Sequence, residues 1–125
     1  MIVLNDGPLD AAGIFNMVNK NASGSVVIHY GIVREKTGDR TTREMKVEKT
    51  DDTEKEMSGI AGEIKEKWPV DDVVLARRFG SVKVGELLAV VAVSSAHRQE
   101  AFKACSYGID RLKEMKSISE REVNV

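Results

Sequence analysis

GELLAVVAVSSAHRQEAF, residues 85–102, changes its hydrophobic period halfway along. Residues 87–93 are apolar without a break, which fits a strand covered on both faces of its sheet better than a half-exposed one. Beyond Ser94 the pattern loosens. Ser95 has the chemistry of a helix cap, and Phe102, Cys105, Ile109 and Leu112 then make one apolar stripe, so a long helix is predicted over about 96–115. A strand covered on both faces needs packing partners on either side, and the rest of the chain is read for them.

Working upstream, residues 72–79 read as another strand, with Gly80 and Gly85 punctuating the turn that follows. GSVKVG (80–85) spaces its glycines like a phosphate loop but lacks the following Lys and Ser/Thr, so that cradle is incomplete. Thr53 and Glu56 have capping-box spacing, and Met57, Ile60, Ala61, Ile64 and Trp68 recur at helical intervals until Pro69 ends the pattern. That stripe reads as core. SVVIHYGIVR (25–34) is rich in β-branched and aromatic residues, and Arg43, Met45 and Val47 alternate with Glu44, Lys46 and Glu48. The two strands are expected to pair as a hairpin across the polar loop EKTGDR. Residues 8–20, opened by Pro8 and carrying Leu9, Ile14, Met17 and Val18, read as a short helix, and KSISEREVNV (116–125) as a polar extended tail. No repeat or linker divides the chain. The expectation is one domain, 1–125, of α+β class: a two-layer sandwich with a mainly antiparallel sheet packed by helices.

The composition is that of a folded globular chain, with 42% hydrophobic and 31% charged residues. Nineteen Lys and Arg against 20 Asp and Glu leave a net charge of -1, so no global field draws the chain to nucleic acid or an anionic membrane. Any anionic partner must meet a local basic pocket. The single cysteine, Cys105, cannot close an internal disulfide, and with two histidines it falls short of a four-ligand zinc set; a reducing compartment fits and no metal is expected. MIVLNDGPLD has neither a basic nor an apolar leader region, and no segment reaches about 18 consecutive apolar residues. A cytoplasmic, membrane-free protein is expected.

Basic residues collect at Arg34, at Arg77 and Arg78, and at His97 and Arg98. Taken singly, each arginine reads as a solvated or ion-paired surface group. His97 lies beside Ser94 and Ser95, but neighbours in sequence do not make the geometry of a catalytic triad. Cys105 sits on the apolar stripe and reads as buried filler, and His29 reads as a structural imidazole. Lys113 falls about 20° from Phe102 around the last helix, and Arg98 about 40° on the other side. A cation bordering a packing face either snorkels outward or is held in a pocket, and spacing leaves both open. Arg98 and Lys113 are separated by roughly 22 Å at 1.5 Å per residue, so a pocket using both needs a second copy of the chain.

HYGIVR (29–34), KWPV (67–70), RRFG (77–80), KVGELLAVVAVSSAHRQEAF (83–102) and IDRLK (109–113), in that order, resemble the large, catalytic subunit family of molybdopterin synthase. The resemblance spans roughly residues 24–122 and implies an α/β-hammerhead-like form of the sandwich. It also implies a homodimer, each copy receiving the C-terminal Gly-Gly tail of a small ubiquitin-like sulphur-carrier subunit, a heterotetramer overall. Sulphur from the thiocarboxylated tail would pass to cyclic pyranopterin monophosphate, and two transfers would make the dithiolene of molybdopterin, with no resident cofactor. By this resemblance Ile32, Val33 and Arg34 border the substrate, His97 and Arg98 reach in from the dimer mate, and Lys113 is the central catalytic residue. Glu120, Arg121 and Glu122 fall on the family's substrate-contacting tail. That tail departs from the family pattern: Ser117 stands for Pro, Ser119 for Trp and Glu120 for a second lysine, and His29 replaces a usual Phe. Lys116 is a candidate to compensate if the helix runs on to it. The alternative is an impaired binding or assembly subunit of the same complex.

Overall fold

The computed structural model describes the backbone of residues 1–125 and every side chain except that of Thr37. In chain order the elements are β1 (Ile2–Asn5), α1 (Ala11–Met17), β2 (Ser25–Ile32), β3 (Lys36–Thr37), β4 (Arg40–Lys49), α2 (Thr53–Lys67), β5 (Val70–Arg78), β6 (Gly80–Lys83), β7 (Leu87–Ser95), α3 (Arg98–Lys113) and β8 (Ile118–Asn124). They form two sheets. The first runs β1-β5-β7-β2; in the second, β4 pairs with β3, β6 and β8. Only the β1–β5 pairing is parallel, so the mainly antiparallel α+β expectation holds.

The apolar run of β7 does what its sequence requires. Val91 and Val93 face α2 and α3 with Val73, Leu75, Ile60 and Ile64, while Val90 and Ala92 face α1 with Val74, Ala76, Ile14 and Val18. Fully burying one such side chain contributes roughly 1.5–3 kcal/mol, so both sheet faces hold α-helices for the same reason. A third cluster, Val33, Val47 and Val82, lies with the second sheet.

Several expectations are corrected. Strands 25–34 and 43–48 do not form a hairpin: β2 pairs with β7, whose apolar run offers it a partner that the charged β4 does not, and β4 pairs with β3, β6 and β8. Pro8 lies before α1, which is capped instead by Asp10, whose carboxylate accepts from Gly13 N–H at 3.0 Å. Residues 2–5, assigned to no element from sequence, form a strand alongside β5. Ser95 does not cap α3; its hydroxyl donates to the His97 carbonyl, and His97 is the N-cap residue. The buried face of α3 is Ala101, Ala104, Cys105, Gly108 and Leu112, whereas Phe102 is 58% exposed. A Cβ on Gly108 would sit 3.0 Å from Val91 Cγ1 and 3.2 Å from Ile64 Cδ1, so small residues are what the close approach selects.

The capping box at Thr53 and Glu56 is also replaced, by something that positions the tail. Thr53 Oγ1 donates to the Ser117 carbonyl at 2.9 Å, and Glu56 accepts from the Lys116 and Ser117 N–H groups, each at 3.0 Å, and from the Ser117 hydroxyl. Burial opposes ionisation of Glu56, but these donors outweigh it and hold the carboxyl below its ordinary range. The first turn of α2 thus grips residues 116 and 117, and the polar tail continues as β8 against β4.

Candidate active site

Sheet register builds the floor of a cavity. Arg77 on β5 lies opposite Ala89 on β7, and Ala89 opposite Gly31 on β2, so one cross-strand row on the α3 side carries a long cation beside two minimal residues. The next row places Val91 between Leu75 and His29. Because Gly31 and Ala89 fill so little space, a void of about 160 Å³ remains beneath α3. Ile109, Leu112 and Lys113 of α3 close it from above, and β8 brings Glu120 to its side. The volume is below the roughly 300–1,000 Å³ typical of whole-ligand sites, so it suits one end of a ligand. A second cavity of about 170 Å³, with Leu88 common to both, is lined by Ile32, Val33, Arg34, Thr42, Met45 and Glu122.

The polar atoms at these cavities are unusual. The Arg77 side chain is 3% exposed and pairs with Glu120 at 3.2 Å, Nη2 to Oε1, yet its Nε and Nη2 make no hydrogen bond among the described residues. Thr42 Oγ1 and Glu122 Oε2, at the second cavity, are likewise buried without a hydrogen-bond partner, although Glu122 lies 3.8 Å from Arg40 Nη1. Leaving a buried polar group unsatisfied costs about 1–3 kcal/mol, more for a charged one, so orphaned groups facing empty space mark where a polar ligand would be rewarded. Arg78, one residue on, points to the other face, where Glu86 lies 2.9 Å away and the Ser81 carbonyl accepts at 3.2 Å. Both arginines, read singly from sequence as surface groups, are buried because β5 extends to Arg78. The alternation Val73, Leu75, Arg77 was the available signal that Arg77 shares the inward face.

The residues singled out from sequence are distributed as follows. Lys113 and Glu120 line the first cavity, and Ile32, Val33, Arg34 and Glu122 the second. His97 and Arg98 are exposed at the opposite end of α3, away from Lys113 within one chain. Arg121 is exposed on β8 opposite Lys46 and lines neither cavity. The helix ends at Lys113, so Lys116 does not follow it onto the same face; it borders a separate depression with Thr50, Asp52 and Glu56. His29, read as structural, is part of the first cavity's wall.

Other nucleophile candidates are committed elsewhere. The Ser94 hydroxyl donates to the Asn19 carbonyl at 2.7 Å and that of Ser95 to His97. Burial pushes the Cys105 thiol up to about 11, which keeps it protonated and inert, packed near the Val91 carbonyl. Among the described residues no cluster of His, Cys, Asp and Glu is arranged to hold a metal ion, and no helix is long and apolar enough to cross a membrane.

The sequence and the fold have counterparts among known proteins. The family model described as MoaE protein matches residues 4–115. The molybdopterin synthase catalytic subunit of Bacillus subtilis is 32% identical over 117 residues, 93% of this chain and 74% of that one. Its Pyrococcus abyssi namesake is 34% identical over 108 residues, 86% and 73% of the two chains. The crystal structure of molybdopterin synthase from Staphylococcus aureus superposes with a TM-score of 0.90 at 31% identity, over 99% of this chain and 90% of that chain. With a family match across nearly the whole length and relatives above 30% identity, the chain belongs to the MoaE family.

Proposed function

We propose that this chain is the catalytic subunit of a molybdopterin synthase and works in a sulphur-transfer step of molybdenum cofactor biosynthesis. The observation that carries the reading is the placement of Lys113 at the rim of a cavity with an apolar floor and a buried guanidinium, in a member of this family. The sulphur donor in this reading is the thiocarboxylated C-terminus of a small ubiquitin-like subunit, and the acceptor is cyclic pyranopterin monophosphate, which becomes the dithiolene of molybdopterin. Lys113 Nζ is the proton donor, proton acceptor or nucleophile of that step, a role worth about 10²–10⁴-fold in acid–base form. Arg34, with Ile32, Val33 and Glu122, borders the same substrate from the adjoining cavity.

His97 and Arg98 complete the site from a second copy. Fifteen residues of helix, roughly 22 Å, separate Arg98 from Lys113, too far for one small substrate within one chain. β2 is an edge strand of the first sheet, and Tyr30, Ile32 and the Phe102 of the helix packed on it are the exposed apolar surface a homodimer would cover. With one small subunit on each copy the assembly is a heterotetramer, and residues 1–125 act in it as one domain. A reducing cytoplasm suits the lone thiol.

The test is to mix the purified protein with thiocarboxylated small subunit and cyclic pyranopterin monophosphate and to measure dithiolene. Product is expected. Small-subunit binding without product would leave only an assembly role.

A further inference from the structure

We propose that Glu56 is a positioning residue for Lys113: its carboxylate ends α3 at that lysine and sets the register that carries Glu120 to the same cavity. The inference rests on the reading above for what Lys113 does, and on the geometry of residues 113–120 for how it is held.

The sequence beyond Lys113 does not explain why α3 ends there. No glycine follows it, and among the described residues none with a side chain has a positive φ, so the left-handed stop common at helix ends is absent. Were α3 to continue, the N–H groups of Lys116 and Ser117 would donate to the carbonyls four residues back, on Leu112 and Lys113. Glu56 takes both donors instead. Lys116 N–H reaches its Oε2 at 3.0 Å and Ser117 N–H its Oε1 at 3.0 Å, and the Ser117 hydroxyl donates to Oε1 as well. The carboxyl titrates below its ordinary range, so at neutral pH these donors meet an ionised acceptor, which holds them about twice as strongly as a carbonyl would. Ser117 supplies two of the three donors, and proline, its counterpart in the family pattern, would supply neither. The register of β8 depends on the same contact. Its apolar residues, Ile118 and Val123, are five apart and face opposite ways, so burial alone would specify its pairing weakly, and a slip of one residue would turn Glu120 from the cavity. The Ser117 carbonyl accepts from Thr53 Oγ1 at 2.9 Å and from Thr50 N–H at 3.1 Å, which anchors the chain immediately before Ile118 pairs with Lys49.

In the turnover assay with the small subunit present, Glu56→Ala should lower kcat by about tenfold to 100-fold, the range for a reacting group displaced by about 1 Å, and leave KM for cyclic pyranopterin monophosphate within about twofold. Glu56→Gln keeps one acceptor oxygen and should fall between it and the native protein. A loss of folded protein would also lower kcat, but in any background, whereas a loss of positioning requires the lysine. Glu56→Ala should therefore add nothing to Lys113→Ala when residual rates are compared in single turnovers. A kcat within about twofold of native, or an equal loss with and without Lys113, would overturn the proposal. Should Glu56→Ala fail to fold, Glu56→Gln passes through the same cycle. Hydrogen exchange followed by NMR separates the latch from the catalytic reading. In Glu56→Ala the amides of Lys116 and Ser117 should exchange at least about tenfold faster, while that of Val91 in the central strand keeps its native rate. If the native protein makes no dithiolene, the catalytic reading fails, yet faster exchange at 116 and 117 still supports the latch, and native exchange there removes it.

Discussion

Two arginine–glutamate pairs lie on the α3 side of this molecule, and they are built to opposite standards. Between α2 and α3, Arg111 gives Glu63 a two-pronged pair, Nε to Oε1 at 3.0 Å and Nη2 to Oε2 at 3.1 Å, and the Tyr107 hydroxyl donates to the same carboxylate. Trp68 stacks edge-on against Tyr107 with ring centroids 5.4 Å apart, and Lys67 lies over the Tyr107 ring. At the cavity, Arg77 has one carboxylate at 3.2 Å and two nitrogens with nothing to bond. The first pair is half-exposed and saturated; the second is buried and unsaturated. A fold gains little by burying an unsaturated charge, so the contrast separates a saturated structural link from a guanidinium that keeps bonding capacity at a cavity.

The largest effect expected from breaking this contrast is at Lys113. Lys113→Ala should lower dithiolene formation by at least about 100-fold, as loss of a general acid, base or nucleophile does. Its melting temperature should stay near native, because Lys113 is an exposed helix-end residue. Turnover at the native rate would remove Lys113 from the chemistry. The next effect is steric. Ala89→Leu should fill the void floored by Gly31 and Ala89 and weaken substrate binding by about tenfold, with the fold intact because the added carbons enter empty space. Undiminished affinity would mean that the ligand does not enter this cavity.

Stability should then respond in opposite directions at the two pairs. Arg111→Met leaves Glu63 and Tyr107 without their partner and should lower the melting temperature by roughly 2–5 °C. Arg77→Met replaces an unsatisfied buried charge with a side chain of similar length and should leave the melting temperature equal or higher. Calorimetry on the two variants decides it, and a larger loss at Arg77 than at Arg111 would make Arg77 a structural residue.

Much of this was legible in sequence, and the parts that were not have physical causes. The uninterrupted run 87–93 announced a strand covered on both faces, and the Met57, Ile60, Ile64 periodicity announced α2. Lys113 was placed at the edge of a packing face through its angle to Phe102, yet Phe102 proved exposed. The true buried face of α3 is written in Ala, Gly and Cys, whose small size carries little hydrophobic signal but permits the close approach to Val91 and Ile64. Arg77 was missed as a site residue because charge outweighed alternation in the reading of 72–79, and the cavity was missed because it arises from register across three strands. Strand pairing is non-local, so the hairpin assigned by proximity along the chain gave way to longer-range partners. The tail's role as β8 depended on Glu56 and Thr53, which spacing alone assigned to a cap.

The smallest effect lies in the acid limb of the stability curve, where the saturated pair should be visible. Hydrogen bonds from Arg111, then from Tyr107, hold the Glu63 carboxyl down from its ordinary 4.5 to about 2. A carboxylate with a depressed native value binds fewer protons folded than unfolded between those two limits. Its contribution is therefore complete above about pH 4.5 and is lost as the pH falls through that window towards 2. Half-exposure and salt screening keep the contribution modest, so it is read as a difference between proteins. Glu63→Gln cannot titrate, and its melting temperature should fall less steeply than native between pH 4.5 and pH 2, the two curves converging at the acid end. Parallel limbs for Glu63→Gln would mean that the Arg111 pair does not hold the carboxyl down in the way its geometry implies.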